Sequence, residues 1–172
     1  MAGAAHLIRR FAGSLWPGGP SEVETAWVEG RLLPGEVELW RRMSGPDRRH
    51  AAAVARRVQR ALGDRATRPV LAAALLHDVG KVVSGLGTYG RVVATMSAAA
   101  AGRDAAPGWS AGRGVTRRIG LYVRHPELGA DLLALAGSDP LTVAWAREHH
   151  LPPDRWTVAP DLASALKAAD DD

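Results

Sequence analysis

Val70-Leu71-Ala72-Ala73-Ala74-Leu75-Leu76-His77-Asp78-Val79-Gly80-Lys81 is apolar on every side up to Leu76 and then turns polar. Pro69 suits the first turn of a helix, where its missing N–H costs nothing. A helix with no polar face belongs in the middle of a core, because any exposed side would leave apolar surface in water. The stretch therefore predicts a central helix over 70–76 that delivers His77 and Asp78 at a buried end. Neighbours at a helix end project about a quarter-turn apart, so an imidazole nitrogen and a carboxylate oxygen can bracket one ion. An unpaired Asp78 charge in that position would cost several kcal/mol.

Outward from this stretch, almost everything reads as helix. Ser21 followed by Glu24 has the form of a capping box opening a helix through about Leu32, and Pro34 starts another through about Met43. After Asp47, the residues His50, Val54, Val58, Ala61 and Leu62 fall at helical spacing, with Arg49, Arg56 and Arg60 on the other side. His50 thus faces inward. Residues 82–114 are apolar in part but interrupted by Gly85, Gly87, Gly90, Gly102, Pro107, Gly108, Gly112 and Gly114, which predicts a mobile connection over the site. Helices resume near Thr116–Arg124, Pro126–Ala136, Pro140–His150 and Pro160–Ala169. With no alternation of strand type and no internal repeat, the fold class is all-α. Residues 3–16 carry Leu7, Ile8, Phe11 and Leu15 on one side before Pro17-Gly18-Gly19-Pro20, the pattern of a short amphipathic arm. Packing back on its own domain or fraying is the expectation; Arg9 and Arg10 beside the stripe would also suit a membrane surface. The organisation expected is an N-terminal arm and helix over 1–35 and one helical domain over 36–172.

Composition limits the function. At 172 residues the chain suits a single core, and the 47% hydrophobic and 23% charged content is globular usage. No stretch approaches the roughly 20 apolar residues of a membrane span. The start lacks a secretory pattern, so a cytoplasmic location is expected. Without cysteine, any metal must be held by nitrogen and oxygen ligands. Lys81 and Lys167 are the only lysines, so the net charge of +4 rests on arginine. Residues 41–68 carry nine arginines against Asp47 and Asp64, a field attractive to phosphates. No zinc-finger, helix-turn-helix or RNA-recognition pattern accompanies it, and the six tryptophans are scattered, so nucleic acid is not the expected partner.

Of the six histidines, His50, His77, His125, His149 and His150 sit at the ends of apolar helices, and only His6 lies in the arm. Each alone reads as a core histidine with a hydrogen-bond partner. Five imidazoles and a carboxylate in one small core would leave many polar groups to satisfy, and a divalent cation satisfies them together. His149 and His150 can both reach inward from the end of 140–150; a cap on the helix C-terminus is the alternative for His150.

Leu75-Leu76-His77-Asp78-Val79-Gly80-Lys81 resembles the central motif of the HD superfamily of metal-dependent phosphohydrolases. The resemblance implies an HD-domain bundle of about six or seven helices with a short N-terminal helical arm. It makes His50 the ligand from the preceding helix. Leu166-Lys167-Ala168-Ala169-Asp170 looks like the closing motif, with Asp170 favoured over Asp171 and Asp172 by the spacing of Leu162, Leu166 and Ala169, and a fraying acidic tail as the alternative. His125-Pro126-Glu127-Leu128-Gly129 and Arg147-Glu148-His149-His150 resemble segments of the two-metal branch. The similarity spans roughly residues 44–171. Cyclic-di-GMP phosphodiesterases of that branch carry Glu and Gly-Tyr-Pro after the paired histidines, whereas this chain has Leu151-Pro152-Pro153-Asp154-Arg155-Trp156.

The implied cofactors are divalent ions, Mn, Fe, Ni, Zn or Mg, two per chain. Asp78 would bridge them, with His50, His77 and Asp170 on the first and His125, His149 and His150 on the second. Such ions lower the pKa of bound water from 15.7 toward about 7, which makes hydrolysis of a phosphomonoester or phosphodiester the expected reaction and a small phosphorylated compound, a nucleotide above all, the substrate. Asp78 and Lys81 are the expected catalytic residues, Lys81 neutralising phosphoryl charge, with a solvated surface lysine as the alternative. Arg49, Arg57 or Arg124 could assist. A silent nucleotide-binding HD module and a di-iron oxygenase are the rival readings.

Overall fold

The computed structural model of the chain describes residues 18–101 and 105–171. The expected arm over 3–16 lies outside the described residues. Ten α-helices and no strand occur among them: α1 (Glu22–Glu29), α2 (Pro34–Arg42), α3 (Gly45–Leu62), α4 (Arg68–Leu76), α5 (Thr88–Ala101), α6 (Ala106–Ala111), α7 (Gly114–Val123), α8 (His125–Leu135), α9 (Pro140–Glu148) and α10 (Pro160–Asp171). The chain is all-α as expected, with more helices than the six or seven anticipated. The surplus lies partly in residues 82–114, which are largely helical, as α5 and α6, where irregular chain was expected. Glycines mark the ends of those helices more than their interiors. Gly85 (φ 60°) and Gly87 precede α5, Gly112 ends α6, and Gly114 (φ 57°) opens α7. Arg91 of α5 also spans to α3, donating to both oxygens of Asp47 at 2.7 Å.

α4 is the axis of the molecule. Every residue from Val70 to Leu76 is buried, as an all-apolar helix requires. Around it lie Trp40 of α2, Val54 and Val58 of α3, Leu133 of α8, Trp145 of α9 and Leu166 of α10. Val28 of α1 is fully buried in the same cluster, so α1 shares the core of the residues that follow it. Burial of such side chains contributes about 1.5–3 kcal/mol each, against the entropy of ordering them. Ser21 caps α1 by accepting from Glu24 N at 3.2 Å, and Ser44 caps α3 by accepting from Asp47 N at 3.3 Å. Glu36, buried in α2, accepts from Leu33 N at 2.8 Å and from the Arg68 guanidinium at 3.3 Å, which ties α2 to the start of α4.

A 3₁₀ turn, Val79–Val83, follows α4 and lies directly against α8. The approach needs glycine: a Cβ on Gly80 would lie 2.0 Å from the carbonyl oxygen of His125 and 2.6 Å from Gly129 N. Gly80 and Gly129 thus bring the end of α4 and the start of α8 together, and with them Asp78 and His125.

Candidate metal centre

Three helix termini present histidines in the same way. His77 follows the last residue of α4 and its Nδ1 donates to Ala74 O at 3.0 Å. His125 opens α8 with Nδ1 donating to Tyr122 O at 2.7 Å, and His149 ends α9 with Nδ1 donating to Ala146 O at 2.9 Å. A carbonyl oxygen can only accept, so each of these nitrogens carries the proton and each ring turns Nε2 inward. All three Nε2 atoms are shut off from solvent and have no hydrogen-bond partner. They converge on one carboxylate: His125 Nε2 lies 3.2 Å and His149 Nε2 3.7 Å from Asp78 Oδ1, and His77 Nε2 lies 3.5 Å from Asp78 Oδ2.

A second carboxylate closes the cluster from α10. Asp170 Oδ1 lies 2.9 Å from His50 Nε2 and 3.5 Å from His77 Nε2. Arg57, two turns beyond His50 on α3, donates to Ala169 O at 2.8 Å and so holds the last turn of α10 beside it. Asp171 points elsewhere, paired with Lys167 at 2.6 Å, and Asp172 lies outside the described residues. The donors form two groups within each of which one atom per residue lies within 4.8 Å of the others: Asp78, His125, His149 and His150, and His50, His77 and Asp170. Buried His and Asp groups arranged in this way could hold metal ions. His150 is the exposed member, edge-on to His125 with ring centres 5.1 Å apart.

The electrostatics are those of a compact charge cluster. Burial pulls the His77 pKa down, but the carboxylates of Asp78 and Asp170 outweigh it and raise it to about 9. Burial penalises the Asp78 charge, yet Lys81, His77 and His125 hold its carboxyl well below the usual range. Asp170 is likewise lowered, with burial opposed by the hydrogen bond from His50 and the nearby imidazole of His77. His125 and His149 are lowered chiefly by burial. The donors suit a cation, since the buried Nε2 atoms of His77, His125 and His149 have no hydrogen-bond partner and face carboxylate oxygens of Asp78 and Asp170.

Lys81 is not a solvated surface lysine: its ammonium is ion-paired with Asp78 Oδ2 and its side chain is only 17% exposed. Arg124 turns away, toward Ser110 Oγ at 3.1 Å and Glu127 at 3.5 Å. Sequence reasoning missed Glu148. Buried at the end of α9, it accepts from Thr157 N, Thr157 Oγ1 and Val158 N and so fastens the loop after His149 and His150 to the helix that carries them. No local pattern marks this role, because the donors lie nine and ten residues downstream. Asp47 and Arg91 were missed for the same reason. Compared with known proteins, the chain matches no family model, no curated protein and no solved structure.

Proposed function

We propose that the protein is an HD-type metal-dependent phosphohydrolase, acting on a phosphomonoester or phosphodiester of nucleotide size. The observation that carries the reading is the convergence of three buried, unpartnered imidazole Nε2 atoms on the carboxylate of Asp78. Each such orphan costs about 1–3 kcal/mol, and a fold keeps several of them together where a ligand satisfies them. His50, His77 and Asp170 would hold one ion and His125, His149 and His150 another, with Asp78, whose carboxylate faces both His77 and His125, serving the two. The imidazole-rich set favours Mn, Fe, Ni or Zn over Mg alone. Bound there, such ions supply a Lewis acid and lower the pKa of water toward about 7.

The chain's own residues do the rest. Carbonyls of Ala74, Tyr122 and Ala146 fix the tautomer and angle of His77, His125 and His149. Lys81 keeps its proton: burial pulls its pKa down, but the Asp78 carboxylate outweighs this and raises it above the ordinary value. It therefore offers fixed positive charge beside the donors, where a phosphoryl oxygen would gain it in the transition state. The test is metal analysis of the purified protein, then assay of nucleotide, cyclic-dinucleotide and simple phosphoester substrates with and without O₂. Expected are about two ions per chain, one in His125→Ala or His149→Ala, and metal-dependent hydrolysis that ignores O₂. Iron with O₂ consumption would make the protein an oxygenase, and a loaded protein inert to every substrate would make it a binding module.

A further inference from the structure

Away from the metal centre, two arginines share one indole. The Arg56 guanidinium of α3 lies 3.5 Å from the centre of the Trp27 ring, and that of Arg31, in the turn after α1, lies 4.2 Å from it. The two cations are thus no farther apart than the sum of those distances, inside the roughly 8 Å over which physiological salt screens charge. Arg31 also donates to Trp27 O at 2.8 Å. Like charges held this close repel, and burial together with Arg56 lowers the Arg31 pKa.

The surroundings do not relieve that repulsion. Neighbouring arginines have carboxylates: Arg65 has Asp161 at 2.7 Å and Arg68 has Glu36 at 3.3 Å. Glu29, the acid nearest in sequence to Arg31, is taken bidentately by Arg41 with both contacts at 2.9 Å. Among the described residues neither Arg31 nor Arg56 has an ion-pair partner within 4.0 Å. Arg60, one turn on from Arg56, is exposed and extends the same positive stripe. Solvated arginines splay apart, whereas these are pre-set on a rigid ring, which spares the entropy of ordering them when an anion arrives.

We propose that Arg31 and Arg56, braced on Trp27, form a binding site for a ligand that carries closely spaced phosphate groups. Stacking occupies the guanidinium faces and leaves N–H edges for the forked, charge-assisted hydrogen bonds that phosphate oxygens accept. The site is separate from the metal centre, since Arg56 and His50 lie about 120° apart around α3. The ligand is a polyphosphate chain or a phosphodiester strand, and two probes separate these: inorganic tripolyphosphate by calorimetry and a labelled oligothymidylate by fluorescence anisotropy, both at low salt. Arg31→Gln and Arg56→Gln should each weaken binding about tenfold or more. Arg56→Lys keeps the charge but loses the stacked plane, and should weaken it nearly as much in a protein whose melting temperature is unchanged. With the strand, the double Gln variant should flatten the slope of log affinity against log salt by about 1.4. Arg155→Gln, an exposed arginine elsewhere, should have little effect. Tripolyphosphate binding alone identifies a polyphosphate ligand, and strand binding a phosphodiester. Binding of neither probe, or equal loss in Arg155→Gln, would overturn the proposal.

Discussion

At the scale of single residues, Asp78 carries the most consequence because its carboxylate meets four charged or ligating groups: His77, Lys81, His125 and His149. Asp78→Ala should strip the metal and leave the helical circular dichroism in place, since the carboxylate faces Lys81 and the histidines. It should also cost about 3–5 kcal/mol in denaturant unfolding, because the Lys81 ammonium stays buried without its partner. Asp78→Ala with Lys81→Ala should regain most of that stability and none of the metal. A single variant as stable as wild type would mean that the pair contributes nothing to the fold. The histidines predict a second effect, in protein freed of metal by chelation. His77 has a folded pKa raised from 6.5 to about 9, so its contribution is complete below pH 6.5 and is lost as pH rises toward 9. His125 and His149 are shifted down from 6.5, so the unfolded chain binds more protons below that pH and stability falls as the solution is acidified. The melting temperature of the metal-free protein should therefore peak near pH 6.5 and decline on both sides; a flat profile from pH 5 to 9 would contradict these environments.

At the scale of elements, the close approach of the Val79–Val83 turn to α8 is the joint on which the site depends. Gly80→Ala would drive a methyl into the His125 carbonyl, and backbone cannot step aside as a flexible side chain can. Such overpacking costs about 1–3 kcal/mol and should move His125 away from Asp78, lowering metal content together with the melting temperature. Gly129→Ala meets its nearest atom at 3.0 Å and should be milder in both readouts. The two variants affecting both alike would argue against a directional joint. Elements were legible in the sequence wherever one signal was local: Ser21, Pro34 and Pro140 mark helix starts, and the apolar run 70–76 marks the buried axis. α5 and α6 were not, because glycines at helix ends and glycines that break helices look alike in a sequence. His77, Asp78, His125 and His149 were legible as buried because each lies at an end of an apolar helix, whereas His150, read in the same way, is exposed. Their supports were not: Arg57 bonds a carbonyl 112 residues away, and Glu148 is recognisable only once the loop to Val158 has closed on it.

At the scale of the whole molecule, the donor cluster joins parts of the chain that local structure alone would leave separate. His50 and Asp170 are 120 residues apart in sequence, and the remaining donors come from the ends of α4 and α9 and the start of α8. Without a cation, the unpartnered Nε2 atoms oppose the burial that assembles these elements; with one, the same groups reward it. Metal binding is therefore folding free energy, and its size follows from mass action: an ion present at about 100 times its dissociation constant adds about 2.7 kcal/mol, and at 1,000 times about 4.1. For a chain of this size each kcal/mol moves the melting temperature by about 2–4 °C. Chelation should then lower the melting temperature by roughly 5–15 °C, and adding back Mn, Ni or Zn should restore it, while Mg restores less because the set is rich in imidazole. The shift should be halved or less in His149→Ala, which leaves the group of His50, His77 and Asp170 intact. It should vanish in Asp78→Ala. A chelator-treated protein that melts where the untreated protein does, with metal analysis confirming that the untreated sample was loaded, would show that the cluster is satisfied from within and that the fold owes nothing to an ion.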